Sequence, residues 1–154
     1  MSAPQAIADR VEIEALRAEF SDAAMMNDYE RLASLFTPDG ALRMPDIPAE
    51  LAGREAIRVF GGNRPAAFLV QNSHPGTIYL DGDTAHGRTL IQEIGRGRDG
   101  GSILNFAIYH DRYLRTEDGW KFTERVYEVR YLDTTPLNGS FREEPAQASE
   151  TASA

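Results

Sequence analysis

The chain has 154 residues, a net charge of -8, three histidines and no cysteine. A single domain of this length buries roughly 70% of its unfolded surface, which is enough for a hydrophobic core without disulfides. The lack of cysteine excludes disulfides, zinc-thiolate sites and thiol nucleophiles, and the scattered histidines argue against a dedicated metal site. Basic residues are spread among carboxylates, which excludes the electrostatic footprint of a nucleic-acid-binding protein.

The sequence shows no targeting or membrane-spanning pattern. Its first residues lack the basic-then-apolar order of a signal peptide, and no apolar run approaches the roughly 18 residues that span a membrane. We therefore expect a cytoplasmic protein with no membrane partner. From Arg142 onward the chain is small and polar, and it cannot bury enough apolar surface to offset its ordering entropy. The prediction is one domain over 1–141 and a disordered tail over 142–154.

Helical spacing dominates the first half of the chain. Apolar residues recur at helical intervals over 7–26, with charged residues between them, and this pattern predicts an amphipathic helix. After an Asn-Asp interruption, a second short helix is predicted over 29–36, stopping before a proline. A short strand is expected at 41–44, a helix over 53–60 that a Gly-Gly pair ends, and a brief helical piece over 65–70.

The second half of the sequence has a pattern typical of strands separated by turns. Strands are predicted over 77–80, 84–96, 102–115 and 120–132, and each gap between them carries a hairpin signal. Helices followed by a meander of strands define an α+β domain with the helices on one face of an antiparallel sheet. Because strands of about a dozen residues twist and coil, the sheet should curl, and the helices should close a cavity on its concave side.

Alternation along the 102–115 strand divides its side chains between two faces, and both faces contain apolar residues. This is expected of a sheet that helices cover on one side and a partner subunit covers on the other. We therefore expect a homo-oligomer, either a dimer or a trimer. One face carries Asn105, Ala107, Tyr109 and Asp111, and the other carries Leu104, Phe106, Ile108 and His110.

Three stretches together carry a resemblance to a known family. They are the helix over 13–28 followed by Tyr-Glu-Arg-Leu-Ala-Ser-Leu-Phe-Thr-Pro-Asp-Gly, the segment Ser-His-Pro-Gly-Thr-Ile over 73–78, and the hairpin over 102–125. They resemble the SnoaL-like branch of the nuclear transport factor 2-like superfamily, and within it the hexachlorocyclohexane dehydrochlorinase and scytalone dehydratase group. The resemblance covers roughly residues 7 to 135 and implies a cone-shaped curved antiparallel sheet whose N-terminal helices close a pocket.

The same resemblance implies a set of site residues. In these relatives an Asp at the end of the first helix orients a His on the loop entering the sheet, and the two positions fall on Asp28 and His74. An Arg shortly after Trp-Lys-Phe completes the dehydrochlorinase set and falls on Arg125. The side chains that the resemblance places on the pocket wall, where they would bind substrate, are Tyr109, Asp111, Asn105, Ala107, Tyr127 and Val129.

Two departures from the family leave the substrate open. The lysine or glutamine that precedes the dehydrochlorinase Asp has no counterpart, because Ala23 and Ala24 stand there. The second catalytic histidine of scytalone dehydratase is not matched in register by His86 or His110, which are expected to be surface or interface residues.

The chemistry that these residues could support is general base catalysis. A neutral His74 could take a proton near pH 7, with Asp28 fixing its tautomer and Arg125 holding an anion. The leading hypothesis is a cofactor-independent, dehydratase-like lyase acting on a small, mostly apolar cyclic substrate. The alternatives are a polyketide cyclase or isomerase in the same pocket, or a non-catalytic ligand-binding domain. Read without the family, His74 is a loop residue, Asp28 caps a helix and Arg125 pairs with Asp111.

Overall fold

The structure is a computed structural model that describes residues 2–47 and 49–142. Helices occupy the first part of the described chain and long strands the second, as the sequence predicts. In chain order the elements are α1 (Ala3–Met25), α2 (Tyr29–Ser34), β1 (Phe36–Met44), β2 (Ala49–Ala52), α3 (Arg54–Gly62), β3 (Ala66–Asp81), β4 (Thr84–Gly97), β5 (Ser102–Thr116) and β6 (Gly119–Asp133).

Helix α1 is a long amphipathic helix that packs across the concave face of the sheet. The Ser2 hydroxyl accepts a hydrogen bond from the backbone N–H of Gln5 and so caps the first turn. Its buried stripe includes Ile13 and Phe20, which are 0% and 3% exposed. The helix ends before Asn27, whose φ of 56° is left-handed and turns the chain toward α2.

The six strands form one sheet in the order β2-β1-β6-β5-β4-β3. Neighbouring strands are antiparallel except for β1 and β6, which run parallel. The three hairpins of the β3 to β6 meander turn through glycines with positive φ, which other residues adopt only with strain. These glycines are Gly82, Gly100 and Gly119.

The core lies between α1 and the inner face of the sheet. Phe20 of α1 makes edge contacts with Phe36, Tyr109 and Phe122, with ring centroids 5.5 to 6.1 Å apart. Trp120 is 4% exposed and belongs to the same core. The predicted fold is therefore confirmed as α+β, with N-terminal helices on a curved sheet of six strands that does not close into a barrel.

Three elements differ from the sequence prediction. Strand β1 already begins at Phe36, because the buried Phe36 pairs with Phe122 of β6, whereas the sequence predicted a helix there. Residues 66–70 form the start of β3, not a helical piece, since short apolar runs fit either structure until a neighbouring strand decides. Strand β2 was not predicted. Apart from Arg142, the predicted disordered tail lies outside the described residues.

No helix within the described residues is both long enough and apolar enough to cross a membrane.

Candidate functional site

A cavity of about 570 Å³ opens between α3, the end of β1 and the concave face of the sheet. Its walls are largely apolar, as is usual for sites that bind small organic molecules. A few polar side chains converge at one place on the wall, where β4, β5 and β6 lie side by side. The apolar wall includes Met44, Phe60, Leu69 and Ile103, and the polar group consists of Glu93, Asn105 and Tyr127.

Glu93 is the centre of the polar group. Its carboxylate is 8% exposed and accepts hydrogen bonds from the Gln71 amide, the Tyr127 hydroxyl and the Asn105 amide, the last at 3.2 Å. The Asn105 amide also donates to the Tyr127 oxygen at 3.1 Å. These three partners are neutral side chains that donate, so both oxygens of the carboxylate act as acceptors.

The two tyrosines beside Glu93 are held in their protonated form. Burial, and then the charge of Glu93, raise the pKa of the Tyr127 hydroxyl far above its usual value. Burial and Glu93 raise the pKa of Tyr109 in the same direction. Tyr109 and Tyr127 both line the cavity, but Tyr127 already donates its one proton to Glu93, so Tyr109 is the hydroxyl that can donate to a bound molecule at neutral pH.

A second buried carboxylate, Asp111, is fully engaged with the protein. The Arg125 guanidinium donates from Nε to Asp111 Oδ1 at 2.7 Å, and the hydroxyls of Thr89 and Tyr113 both donate to Asp111 Oδ2 at 2.8 Å. Arg17 of α1 donates to the Tyr113 oxygen at 2.8 Å. The cluster therefore pairs its charges internally and ties α1 to the sheet.

Arg125 lies beneath the cavity wall and does not reach the cavity. It is 1% exposed, and its guanidinium carbon is 3.8 Å from the ring centroid of Tyr109 and 4.2 Å from that of Phe122. Tyr109 therefore separates Arg125 from the cavity. The sequence left two roles open for Arg125, binding an anion or pairing with Asp111. The geometry favours the structural pairing with Asp111.

Four of the six side chains that the family resemblance places on the pocket wall line this cavity. The inward direction of the odd-numbered β5 residues and of Tyr127 and Val129 agrees with the burial and pairing of β5 and β6. Asn105, Tyr109, Tyr127 and Val129 line the cavity. Ala107 and Asp111 point inward but are 4% and 2% exposed beneath α1, so they are not part of the cavity wall.

Asp28 acts as the N-cap of α2. Its Oδ1 accepts from the backbone N–H of Arg31 at 3.1 Å, and its Oδ2 accepts from the Arg31 side chain at 3.1 Å. The residue is exposed. These contacts are those of the helix cap that the sequence offered as the alternative to a catalytic role.

His74 lies on the outer face of the sheet, because β3 bulges directly after it. His74 pairs with Leu90 and Thr77 with Arg88, so Pro75 and Gly76 together face the single residue Thr89. Before this bulge the odd-numbered residues point inward, as Gln71 does, and after it the even-numbered ones do, as Ile78 does.

The histidine and the aspartate are therefore not brought together. His74 is exposed beside Leu90, which is 45% exposed, whereas Asp28 bonds within α2. Neither residue lines the cavity described above. Their catalytic role stays a prediction from the family resemblance.

The sequence did not point to the buried polar side chains Glu93, Gln71 and Ser21, of which Ser21 bonds to Gln71 and Gln71 to Glu93. Alternation along β4 would have located Glu93, because it falls on the same face as the buried Ile91 and Thr89. Glutamate is seldom buried unless it is paired, so a glutamate at an inward position of an apolar strand face indicates a candidate site. Gln71 could not have been found this way, since its inward direction depends on the position of the bulge.

Metal ligands do not gather anywhere in residues 2–47 and 49–142: no three His, Cys, Asp or Glu side chains there come together as a metal site would need.

The structure combines a curved sheet covered by helices with an apolar cavity that has a polar group on its wall. These features define the class of α+β proteins with a small-molecule pocket. The family model of the SnoaL-like domain matches residues 5–126. The chain therefore belongs to the SnoaL-like family of the nuclear transport factor 2-like superfamily, which confirms the resemblance seen in the sequence.

Similar proteins include both uncharacterised and named ones. A Mycobacterium tuberculosis protein of uncharacterised function is 29% identical over 132 residues, covering 78% of this chain and 84% of that protein. A solved structure from Novosphingobium aromaticivorans, provisionally assigned as an aromatic ring hydroxylase, is 26% identical with a TM-score of 0.78, covering 84% of this chain and 94% of that one. The solved structure of LinA, a hexachlorocyclohexane dehydrochlorinase, is 25% identical with a TM-score of 0.81, covering 94% of this chain and 100% of that one.

Proposed function

We propose that this protein is a cofactor-independent lyase or isomerase that transfers a proton on a small, mostly apolar cyclic substrate. The observation that carries the proposal is Glu93, a buried carboxylate on the wall of an apolar cavity whose hydrogen-bond partners are neutral. A buried charge without a cationic partner is costly, and such groups concentrate at functional sites. Asp111 has its cation in Arg125, whereas no cation pairs with Glu93 within the described residues.

The proposed step uses Glu93 as the base. Its carboxylate removes a proton from a ring carbon, the C–H electron pair becomes a new double bond, and the leaving group departs with its own electron pair. In an isomerisation no group departs, and the proton returns to another carbon. The Tyr109 hydroxyl would donate a hydrogen bond to the substrate oxygen or halogen on which charge develops, while Tyr127 keeps its bond to Glu93.

The similarity to LinA supports elimination over other uses of the cavity. LinA is named as a dehydrochlorinase of hexachlorocyclohexane, a saturated apolar ring, and the cavity here has the apolar walls that such a ring requires. The same cavity would serve a cyclase or isomerase without change, because only the fate of the leaving group differs.

The test is turnover of two probes, hexachlorocyclohexane and scytalone, with the product mass measured. Loss of HCl or of water identifies a lyase, and an unchanged mass with an altered spectrum identifies an isomerase. Glu93→Gln should abolish the reaction, and Glu117→Gln, an exposed change of the same chemistry in the β5–β6 turn, should not. Binding of a probe without conversion by the wild type would instead indicate a non-catalytic binding domain.

The predicted Asp28–His74 dyad is the competing assignment of the same reaction. It would require the β3 bulge to lie before His74, because a shift of one residue turns a strand side chain to the other face. Asp28 would also have to leave its cap on α2. The observed contacts favour Glu93.

We propose further that the outer sheet face packs against a second copy of the chain. Leu90, Phe106 and Tyr131 are 43 to 53% exposed on this face. It also carries both signs of charge, with Arg112 beside Glu124 on the neighbouring strand, as a self-complementary surface needs. The cytoplasmic location remains a prediction from the composition.

A further inference from the structure

A chain of buried hydrogen bonds connects α1 with Glu93. The Ser21 hydroxyl donates to Gln71 Oε1 at 2.7 Å, and Gln71 Nε2 donates to Glu93 Oε1. Ser21, Gln71 and Glu93 are 5%, 3% and 8% exposed. The connection therefore runs through the protein interior from helix α1 to strand β3 and on to strand β4.

The direction of this chain is fixed at its Glu93 end, where the Gln71 amide nitrogen donates to a carboxylate oxygen. A hydroxyl has one proton to donate, and Ser21 gives it to the carbonyl end of the Gln71 amide. The amide nitrogen must then face Glu93. The reversed amide would put its carbonyl oxygen against the carboxylate, where two acceptors would face each other. The Ser21 bond to the amide oxygen thus holds Gln71 in the orientation in which its amide nitrogen faces Glu93.

Gln71 and Ser21 do not line the cavity, so any effect they have on a bound molecule passes through Glu93. The Gln71 bond engages Oε1, while Tyr127 and Asn105 bond to Oε2. Without the Gln71 bond the carboxylate could rotate about its side-chain torsions, since its other donors all lie on one oxygen. A base that is misplaced by about 1 Å can lose up to about 100-fold in rate.

We propose that Gln71, held in place by Ser21, is a positioning residue that keeps the Glu93 carboxylate in its reactive orientation. This rests on the proposed function of Glu93 as the base. It adds that the first helix helps to set the geometry of the reaction, although α1 itself contributes no group to the cavity wall near Glu93.

The test compares Gln71→Met, which keeps the length of the side chain and removes the donor, with Ser21→Ala and with a serine control, Ser34→Ala. Ser34 is exposed and its hydroxyl donates within α2. For the probe that the wild type converts, kcat should fall about 10-fold to 100-fold in Gln71→Met, with KM nearly unchanged. Ser21→Ala should lower kcat by a smaller factor, and Ser34→Ala should have no effect.

A second measurement needs no turnover. The side-chain amide of Gln71, assigned by its loss in Gln71→Met, should give a shifted and slowly exchanging NMR signal that moves toward that of a free glutamine in Ser21→Ala. The positioning role is overturned if that signal is unchanged in Ser21→Ala. It is also overturned if Gln71→Met turns over like the wild type while Glu93→Gln is inactive, in which case the proposed function stands. Full activity of Glu93→Gln overturns both.

Discussion

Glu93 and Asp111 are buried carboxylates on adjacent strands, and their hydrogen-bond partners differ in charge. Asp111 has a cation, Arg125, and two hydroxyl donors, so its charge is neutralised inside the protein. Glu93 has neutral donors and borders a cavity. Removing one member of a buried ion pair leaves an uncompensated charge, whereas removing a carboxylate held by neutral donors leaves none. The two residues should therefore respond differently to substitution.

Substitution of Arg125 by Met should unfold or strongly destabilise the protein. Breaking a buried ion pair costs about 3–5 kcal/mol, and here three aromatic rings also lose their contacts with the guanidinium. Urea unfolding followed by circular dichroism measures this. Glu55→Gln, which breaks the exposed pair with Arg58, should leave the free energy of unfolding nearly unchanged. A small effect of Arg125→Met would mean that the pair is not the anchor described here.

At the scale of elements, two features determine which side chains reach the cavity. The bulge in β3 turns Gln71 inward and His74 outward, and it occurs at Pro75, which lacks the N–H that a regular ladder would use. A Cβ on the neighbouring Gly76 would lie 1.9 Å from the Arg88 carbonyl oxygen, so β3 and β4 approach closely there. The cap on α2 holds Asp28 away from the sheet.

Replacement of Asp28 by Ala tests the cap directly. Loss of an N-cap carboxylate should lower the free energy of unfolding by about 0.5–2 kcal/mol and leave turnover near the wild-type rate. Thermal unfolding and steady-state kinetics on the same sample measure both quantities. Abolished turnover with an unchanged melting temperature would support the dyad and contradict the cap as its principal role.

An ion pair between the buried Asp9 and Arg115 joins the start of α1 to the β5–β6 hairpin and should make the stability of the protein sensitive to acid. Asp9 is fully buried and bonds to Arg115 and to the Trp120 ring nitrogen, and these bonds lower the pKa of its carboxyl well below the ordinary value. A lowered pKa in the folded state gives stability that is present above about pH 4 and is lost as the pH falls further.

Asp9→Asn is accordingly expected to lower the free energy of unfolding at pH 7 and to flatten its decline between about pH 5 and pH 3. Urea unfolding at a series of pH values measures this. An equally steep decline in the variant would show that other carboxylates govern the acid response.

Individual residues show which side-chain directions could be predicted from the sequence. Period-two alternation divided the β5 side chains between two faces, and the family resemblance indicated that Tyr109 and Tyr127 face inward. Both do so, because β5 and β6 pair without a bulge between these residues. It could not predict His74, whose direction depends on a bulge that forms where β3 meets β4, a contact between segments that local propensity does not encode. For the same reason the Gln71–Glu93 contact was not foreseen.

At the scale of the whole molecule, the two faces of the curved sheet have different surroundings. The inner face packs against α1 and, with α3, borders the cavity, and the outer face presents apolar side chains of β4, β5 and β6 to solvent. Exposed apolar surface of this extent on a sheet marks an interaction site more often than chance exposure does.

Phe106→Glu should therefore shift the assembly toward the monomer, because it places a charge at the centre of the outer face. Its matched control is Val59→Glu on α3, since Phe106 and Val59 are 43% and 45% exposed. Light scattering after gel filtration measures the mass of each. A monomeric wild type, or an equal effect of the two variants, would contradict packing through this face.

The central claim is that Glu93 is the base, and the most direct measurement is kcat/KM of Glu93→Gln and of His74→Ala for one converted probe. The geometry predicts a loss on the order of 10² to 10⁴ for Glu93→Gln, the usual range for removal of a general base, and near wild-type turnover for His74→Ala. The reverse pattern, with His74→Ala inactive and Glu93→Gln active while both remain folded, would contradict it.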